Sequence, residues 1–160
     1  MEPLKVVARL WERIEARDWD GVAGLIAQDA VIEWPVSGER IVGRANFVAV
    51  LRDESDGSDS DPSGGSGGFG GSGGFGGSGG SGGFGDERPL GRVEVLRILA
   101  DGDLVVTEVE IPEEHVLYRA VSLWTVRDGE IVGAREYWTS PGQDPAPRWR
   151  AVYVEPLVAD

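Results

Sequence analysis

The stretch that decides the fold is residues 92–139, RVEVLRILADGDLVVTEVEIPEEHVLYRAVSLWTVRDGEIVGAREYWT. It is rich in β-branched and aromatic residues, and three turn sequences interrupt it at residues 101–103, 112–114 and 127–129. The pattern therefore predicts four strands joined as an antiparallel meander. Their expected ranges are 92–100, 104–111, 115–126 and 130–139.

The sequence before this stretch predicts helices. Apolar residues repeat at three- and four-residue steps over residues 3–17, which indicates an amphipathic helix. Asp18 is a candidate N-cap for a second helix, and a third is predicted from Gly43 to about Arg52. Two short strands, 30–34 and 40–42, lie between the second and third helices. Helices followed by a meander predict an α+β fold in which a strongly curved antiparallel sheet wraps around three N-terminal helices as a cone.

Residues 53–87 differ from the rest of the chain. They comprise 16 Gly, 8 Ser, 7 acidic residues, 3 Phe and 1 Pro. Such a segment buries too little apolar surface to offset the entropy of ordering its backbone, so we expect a disordered Gly/Ser/Phe-rich acidic insertion. Residues 1–52 and 88–160 then form one domain. The insertion is either a spacer, natural or engineered, or a phenylalanine-glycine tract that self-associates weakly through Phe69, Phe75 and Phe84.

The charge and composition exclude several classes of function. The net charge is −13, and the seven acids of the insertion supply more than half of it. This balance argues against nucleic acid and anionic membranes as partners. There is no cysteine and one histidine, so no metal or other cofactor is predicted. Because the N-terminus lacks a signal-peptide pattern and no stretch of 18 apolar residues exists, we expect a cytoplasmic protein.

Three motifs point to a known family: Asp29-Ala30-Val31-Ile32-Glu33-Trp34-Pro35, Val121-Ser122-Leu123-Trp124 and Glu136-Tyr137-Trp138. The sequence resembles nuclear transport factor 2-like domains, and within them the SnoaL-like, polyketide cyclase-like branch. The resemblance covers both blocks outside the insertion. It implies a cone that a ligand enters, but it does not imply one reaction, since the superfamily holds isomerases, cyclases, epoxide hydrolases and binding proteins.

The resemblance also implies a homodimer formed through the outer face of the sheet. Apolar residues beyond what one cone clearly buries favour the same assembly, because an exposed apolar face of that size is usually covered. The residues expected on this face are Val93, Val95, Leu104, Val106, Leu117 and Leu123.

A ligand pocket follows if Trp34, Ser122 and Glu136 point into the cone, as the resemblance implies. Strand alternation then places their second neighbours on the same face. An apolar pocket with a few polar groups is typical of a small-molecule site. The first hypothesis is therefore a domain that binds a small apolar molecule without a recognisable catalytic set; alternatively, the aromatic side chains fill the cone as core. The predicted lining is Trp34, Tyr118, Ala120, Ser122, Trp124, Ala134, Glu136 and Trp138.

Glu136 is the main candidate for an ionisable group in this pocket. A carboxyl among aromatic rings has a raised pKa, which suits proton transfer near neutral pH. The second hypothesis is therefore a SnoaL-like cyclase, isomerase or hydrolase in which Glu136 is the general acid or base. The alternative is a structural ion pair between Glu136 and Arg119 or Arg135.

Three further residues are candidates for a catalytic role beside Glu136. Tyr118 and Ser122 are expected to assist it from the same sheet face, and His115 has the intrinsic pKa of a general base. His115 also lies next to a turn, where an exposed side chain is the alternative. A third hypothesis makes the domain a scaffold that displays the phenylalanine-glycine tract.

Two reactions of the family are not expected. Ketosteroid isomerases carry an Asp base immediately before the proline of the first strand, and this chain has Trp34 there. Limonene-type epoxide hydrolases carry an Arg-x-Asp step, which this sequence lacks.

Overall fold

The computed structural model describes residues 1–55, 92–113 and 115–157. The helices are α1 (Pro3–Glu15), α2 (Trp19–Ala23) and α3 (Arg44–Ser55), and a short 3-10 helix spans Arg148–Arg150. The strands are β1 (Ile26–Trp34), β2 (Glu39–Val42), β3 (Glu94–Asp101), β4 (Leu104–Pro112), β5 (Leu117–Arg127) and β6 (Glu130–Thr139). None of the helices in this part of the chain is long and apolar enough to cross a membrane.

The six strands form one sheet in the order β2-β1-β6-β5-β4-β3. The predicted α+β class, with three N-terminal helices and a curved, open sheet, is confirmed. The sheet is mixed rather than wholly antiparallel, because β1 and β6 run parallel. Strands joined by a tight hairpin must be antiparallel, whereas β1 and β6 are distant in the chain and have no such constraint. This pairing brings the end of β1 beside the middle of β6.

The inner face of the sheet packs on α1. Residues of β4 and β5 alternate between buried and less buried positions, as a sheet with one covered face requires. The predicted amphipathic character of α1 is confirmed, because five of its apolar residues are at most 3% exposed. These residues are Val6, Val7, Leu10, Trp11 and Ile14.

Some boundaries differ from the expected ones. β1 begins four residues early, at Ile26, because a register shift after Ile26 accommodates the exposed pair Gln28-Asp29, which breaks the apolar alternation. α3 continues to Ser55, so residues 53–55, assigned to the insertion, are helical. His115 lies in the turn before β5 rather than in the strand.

Most of the predicted insertion lies outside the described residues. Residues 56–91 are not described, which includes Phe69, Phe75 and Phe84, and also residues 88–91 that the sequence assigns to the domain. Disorder, spacing and self-association of the insertion therefore stay predictions.

The outer face of the sheet is partly apolar. Leu99 is 65% exposed, and Leu104, Val121 and Tyr137 are also exposed. Leu104, Val106, Leu117 and Leu123 lie on this face, as expected. The assignment of Val93 and Val95 to it is wrong: Val93 is buried, and Val95 pairs with the buried Val109 of the inner face. A register shift at Leu96 separates this part of β3 from the rest of the strand.

Candidate functional site

The carboxyl group of Glu136 lies where three strands meet on the inner face. Ser122 of β5 is directly opposite Glu136, and the parallel pairing of β1 with β6 brings Trp34 beside it. The Trp34 indole N–H donates a hydrogen bond to Oε1 of Glu136 at 3.1 Å. The Ser122 hydroxyl donates to Oε2 at 2.8 Å. Each carboxyl oxygen therefore has a donor from a different neighbouring strand.

Glu136 is 2% exposed, and this burial raises the pKa of its carboxyl group. Hydrogen bonds from Trp34, Ser122 and Trp138 act against this rise, because they stabilise the ionised form. The sequence also predicts a raised pKa for this carboxyl group.

No arginine neutralises Glu136 among the described residues. Arg119 pairs with Glu110 at 3.7 Å, and Arg135 pairs with Glu33 at 2.9 Å on the outer face. The alternative of a structural ion pair with either arginine is therefore wrong. Strand alternation explains the result, because residues adjacent to inward-facing ones point outward.

The chemistry open to this carboxyl follows from its remaining lone pairs. An ionised carboxyl group has about four acceptor sites, so the donors from Trp34, Ser122 and Trp138 leave at least one of them for a ligand. In the ionised form, Glu136 can accept a hydrogen bond from a hydroxyl or an N–H group; in the neutral form, it can donate one to a carbonyl. The group is thus suited to hold one polar atom of an otherwise apolar molecule, or to exchange a proton with it.

The aromatic side chains around this group pack on one another. Trp11 of α1 makes edge-on contacts with Trp124, at a ring separation of 5.9 Å, and with Trp138, at 6.3 Å. Oγ1 of Thr107 accepts hydrogen bonds from the indole N–H groups of Trp11, at 3.3 Å, and Trp124, at 3.0 Å. The sequence predicted Trp11 on the buried face of its helix but not its place among these rings.

Seven of the eight residues predicted to line a pocket are at most 4% exposed, and Ala134 is half-buried. All eight lie on the inner face of the sheet. Side chains around an open cavity would keep more accessible surface than this. A ligand reaching Glu136 therefore has to displace part of the aromatic packing.

Tyr118 belongs to a different part of the cone. It precedes Ser122 by four residues on the same face, which is about 13 Å along an extended strand. Burial raises its pKa, and the negative charges of Glu113 and Glu54 raise it further. The structure thus groups Ser122 with Glu136, and Tyr118 with two carboxyl groups that sequence reasoning did not select.

Glu113 is the more unusual of these two carboxyl groups. It is 7% exposed, and burial raises its pKa to about 7 against the opposing charge of Arg17. A signal for it exists in the sequence, because Glu113 continues the inward alternation of Thr107, Val109 and Ile111 in β4. The proline at 112, taken as the end of the strand, hides that signal. His115 is exposed in the adjacent turn.

Among residues 1–55, 92–113 and 115–157, no group of three or more His, Asp or Glu side chains is arranged to hold a metal ion.

Comparisons with known proteins identify the fold. No protein-family model matches the sequence, and no curated protein matches it significantly. The chain is similar in structure to an NTF-2 like protein of unknown function from Burkholderia xenovorans LB400, with 27% identity and a TM-score of 0.59, over 96% of this chain and 94% of that one. It is similar to a protein from Kribbella flavida DSM 17836 provisionally assigned as a ketosteroid isomerase, with 21% identity and a TM-score of 0.65, over 99% and 91% of the two chains.

A third similar structure is an LEH-like epoxide hydrolase from M. tuberculosis, with 21% identity and a TM-score of 0.56, over 86% of this chain and 82% of that one. The matches extend over nearly the whole of both partners, so they concern the domain rather than a shared fragment. These similar proteins are described with different activities, as is common for a fold that carries several functions. The chain therefore has the fold of nuclear transport factor 2-like proteins.

Proposed function

We propose that the domain binds a small, mainly apolar molecule inside the cone and that Glu136 holds the one polar group of this molecule. The observation that carries the proposal is a buried carboxyl group that two strands supply with hydrogen-bond donors and that has no cationic partner among the described residues. Burying an ionised carboxylate costs several kcal/mol, and an apolar residue would pack at the same place without this cost. A group that costs stability and is held in a set orientation supports a role in binding or catalysis.

The surroundings of Glu136 support an apolar ligand. Trp34 and Trp138 hydrogen-bond to the carboxyl group, and Trp11 contacts the rings of Trp138 and Trp124. Contact with these rings favours an apolar body with one hydroxyl or carbonyl group. Because the rings are in contact with each other, binding shifts at least one of them, and tryptophan fluorescence reports on this shift.

A second function, proton transfer, is favoured by the raised pKa of Glu136. In that case the domain is a cyclase, isomerase or hydrolase in which Glu136 is the general acid or base, with Ser122 as the adjacent hydrogen-bond donor. Tyr118 is too far along β5 to assist the same proton directly. The third hypothesis, display of the phenylalanine-glycine tract, concerns residues outside those that the structure describes.

The test is native mass spectrometry of the protein expressed in its source organism, to detect a retained small molecule. Three proteins are compared: the unaltered chain, Glu136→Gln and Glu33→Gln. Glu33 is a matched control because it lies on β1, is exposed and pairs with Arg135 on the outer face. We expect a bound molecule in the unaltered chain and in Glu33→Gln, and less of it in Glu136→Gln.

Two results would contradict the proposal. One is a retained molecule at the same level in all three proteins, which places binding away from Glu136. The other is the absence of any retained molecule together with unchanged tryptophan fluorescence on addition of small apolar hydroxyl or carbonyl compounds.

A further inference from the structure

A second polar group lies at the end of the β4–β5 hairpin, away from Glu136. The backbone N–H of Glu113 donates to the carbonyl of Val116 at 2.8 Å, which closes the turn. The side chain of Glu113 follows Ile111 on the inner face and is 93% buried. It therefore lies under the turn, beside Tyr118, which pairs with Ile111 across the two strands.

One oxygen of the Glu113 carboxyl group is able to accept a further hydrogen bond. Oε1 of Glu113 is buried and receives no hydrogen bond from any residue that the structure describes. Buried polar atoms are nearly always hydrogen-bonded, and leaving one unpaired costs about 1–3 kcal/mol. A donor that approaches this oxygen would satisfy it.

The surrounding charges define which kind of donor fits. Glu113 and Glu54 both act on Tyr118 as negative charges, and Arg17, which is exposed, is the cation that acts on Glu113. The surroundings of Glu113 and Tyr118 thus hold more hydrogen-bond acceptors and negative charges than cations among the described residues. The face of a phenol ring also attracts a cation. Both features favour a positively charged donor over a neutral or anionic one.

We propose that Glu113 and Tyr118 bind the protonated amine of an organic ligand whose apolar part lies in the cone. Oε1 of Glu113 accepts a hydrogen bond from the ammonium group, and the ring of Tyr118 lies beside the charge, with Glu54 adding to the negative field. The location of the apolar part rests on the proposed function. The recognition of the amine by Glu113 does not.

This site has a definite pH dependence. Among the described residues, Arg17 from the turn after α1 acts on the charge of Glu113, and Glu113 and Glu54 of α3 both act on Tyr118 of β5. Since Glu113 titrates at about 7 and must be ionised to bind an ammonium group, affinity for an amine should rise about tenfold between pH 6 and pH 8. An alkylamine stays protonated over this range, so the change reports on the protein.

The experiment compares 2-phenylethylamine with its neutral analogue 2-phenylethanol by isothermal titration calorimetry at pH 6 and pH 8. The variants are Glu113→Gln, Tyr118→Phe, Glu108→Gln and Glu136→Gln, and circular dichroism verifies that each is folded. Glu108→Gln is the matched control, because it removes the same charge from the outer face of the same strand, where Glu108 pairs with Arg97. Glutamine has nearly the shape of glutamate, so Glu113→Gln tests the charge rather than the packing.

We expect the unaltered chain and Glu108→Gln to bind the amine about tenfold more tightly at pH 8 than at pH 6. Glu113→Gln should bind it at least about tenfold more weakly at pH 8 and lose the pH dependence. Tyr118→Phe keeps the ring and should retain most of the affinity and the whole pH dependence. Calorimetry in buffers with different ionisation enthalpies should also detect proton release on binding to the unaltered chain at pH 6.

Two results would overturn the inference: no binding of the amine to the unaltered chain at pH 8, or equal binding to Glu113→Gln. If 2-phenylethanol still binds in either case and Glu136→Gln weakens it, the proposed function stands without the amine site. If both compounds bind only through Glu113, the proposed anchoring role of Glu136 fails and the amine site stands.

Discussion

Replacing Glu136 by glutamine should leave the domain equally stable or make it more stable at pH 7. Glutamine can keep the hydrogen bonds with Trp34 and Ser122, because its carbonyl oxygen can accept from Trp34 at the present 3.1 Å and its amide can donate to the Ser122 hydroxyl. The substitution removes the cost of burying a charge, which is several kcal/mol for an ion without a partner. It also exchanges charge-assisted hydrogen bonds for weaker neutral ones, a loss of about 1 kcal/mol each. The net expectation is a gain of zero to about 3 kcal/mol.

The sign of the pH dependence follows from the raised pKa of Glu136, whose main cause is burial. In the pH range between the unfolded and the folded pKa, the folded state binds more protons than the unfolded state. The free energy of unfolding of the unaltered chain therefore falls as the pH rises through this range, by about 1.4 kcal/mol for each unit of pKa elevation. Glu136→Gln removes this contribution, so its advantage should be smaller at pH 5 than at pH 7.

Thermal melts of both proteins at pH 5 and pH 7 test this expectation. For a chain of this size, a change of 1 kcal/mol in the free energy of unfolding shifts the melting temperature by about 2–4 °C. Glu33→Gln is the control, and it should change stability by less than about 1 kcal/mol, because it removes an exposed ion pair. The reasoning is refuted if Glu136→Gln is clearly less stable than the unaltered chain at pH 7. That result would mean that the ionised carboxyl contributes net stability in the folded state.

Three further predictions concern the core, the assembly and the insertion. Thr107→Val keeps the shape of the side chain but removes the acceptor of two indole N–H groups. A urea titration should therefore show that the free energy of unfolding falls by about 2 kcal/mol or more. A fall of less than about 0.5 kcal/mol would contradict the hydrogen-bonded role of this hydroxyl. Light scattering at tens of micromolar should detect a homodimer that Leu99→Glu weakens, because Leu99 is 65% exposed on the outer face, and a monomeric unaltered chain would remove the prediction. Replacing residues 55–85 by a short turn should leave the melting temperature unchanged or raised, and a cooperative loss of structure would show that the insertion packs on the domain.

The order and type of the elements could be predicted from the sequence because local patterns carry that information. The turns at residues 101–103 and 127–129 and the alternation of β5 are local signals, and the structure has strands on both sides of each turn. The ends of the elements depend more on residues that are distant in the chain. β1 extends back to Ile26 because it pairs with β6, more than a hundred residues away, and nothing in the sequence near Ile26 reports that pairing.

For the candidate site too, local patterns in the sequence predicted part of the arrangement. Alternation within β5 and β6 placed Ser122 and Glu136 on one face, and the resemblance to a family indicated which face is inward. The same alternation keeps Arg135 away from Glu136, since Arg135 is its immediate neighbour in the chain and points to the other side of the sheet, where it pairs with Glu33. These conclusions need only the period of a strand.

By itself, the sequence determined the α+β class, the three helices, the meander and the acidic character of the chain, because each depends on residue type and short-range spacing. Only the tertiary structure decided that Trp34 donates to Glu136, that Trp11 packs among the other indoles, and that Glu113 lies buried beside Tyr118. These contacts join groups brought together by the register of β1 on β6 and by the way α1 crosses the sheet. Such long-range placement minimises the free energy of the whole core, and short-range patterns such as the alternation of β4 report the buried face but not which groups meet there.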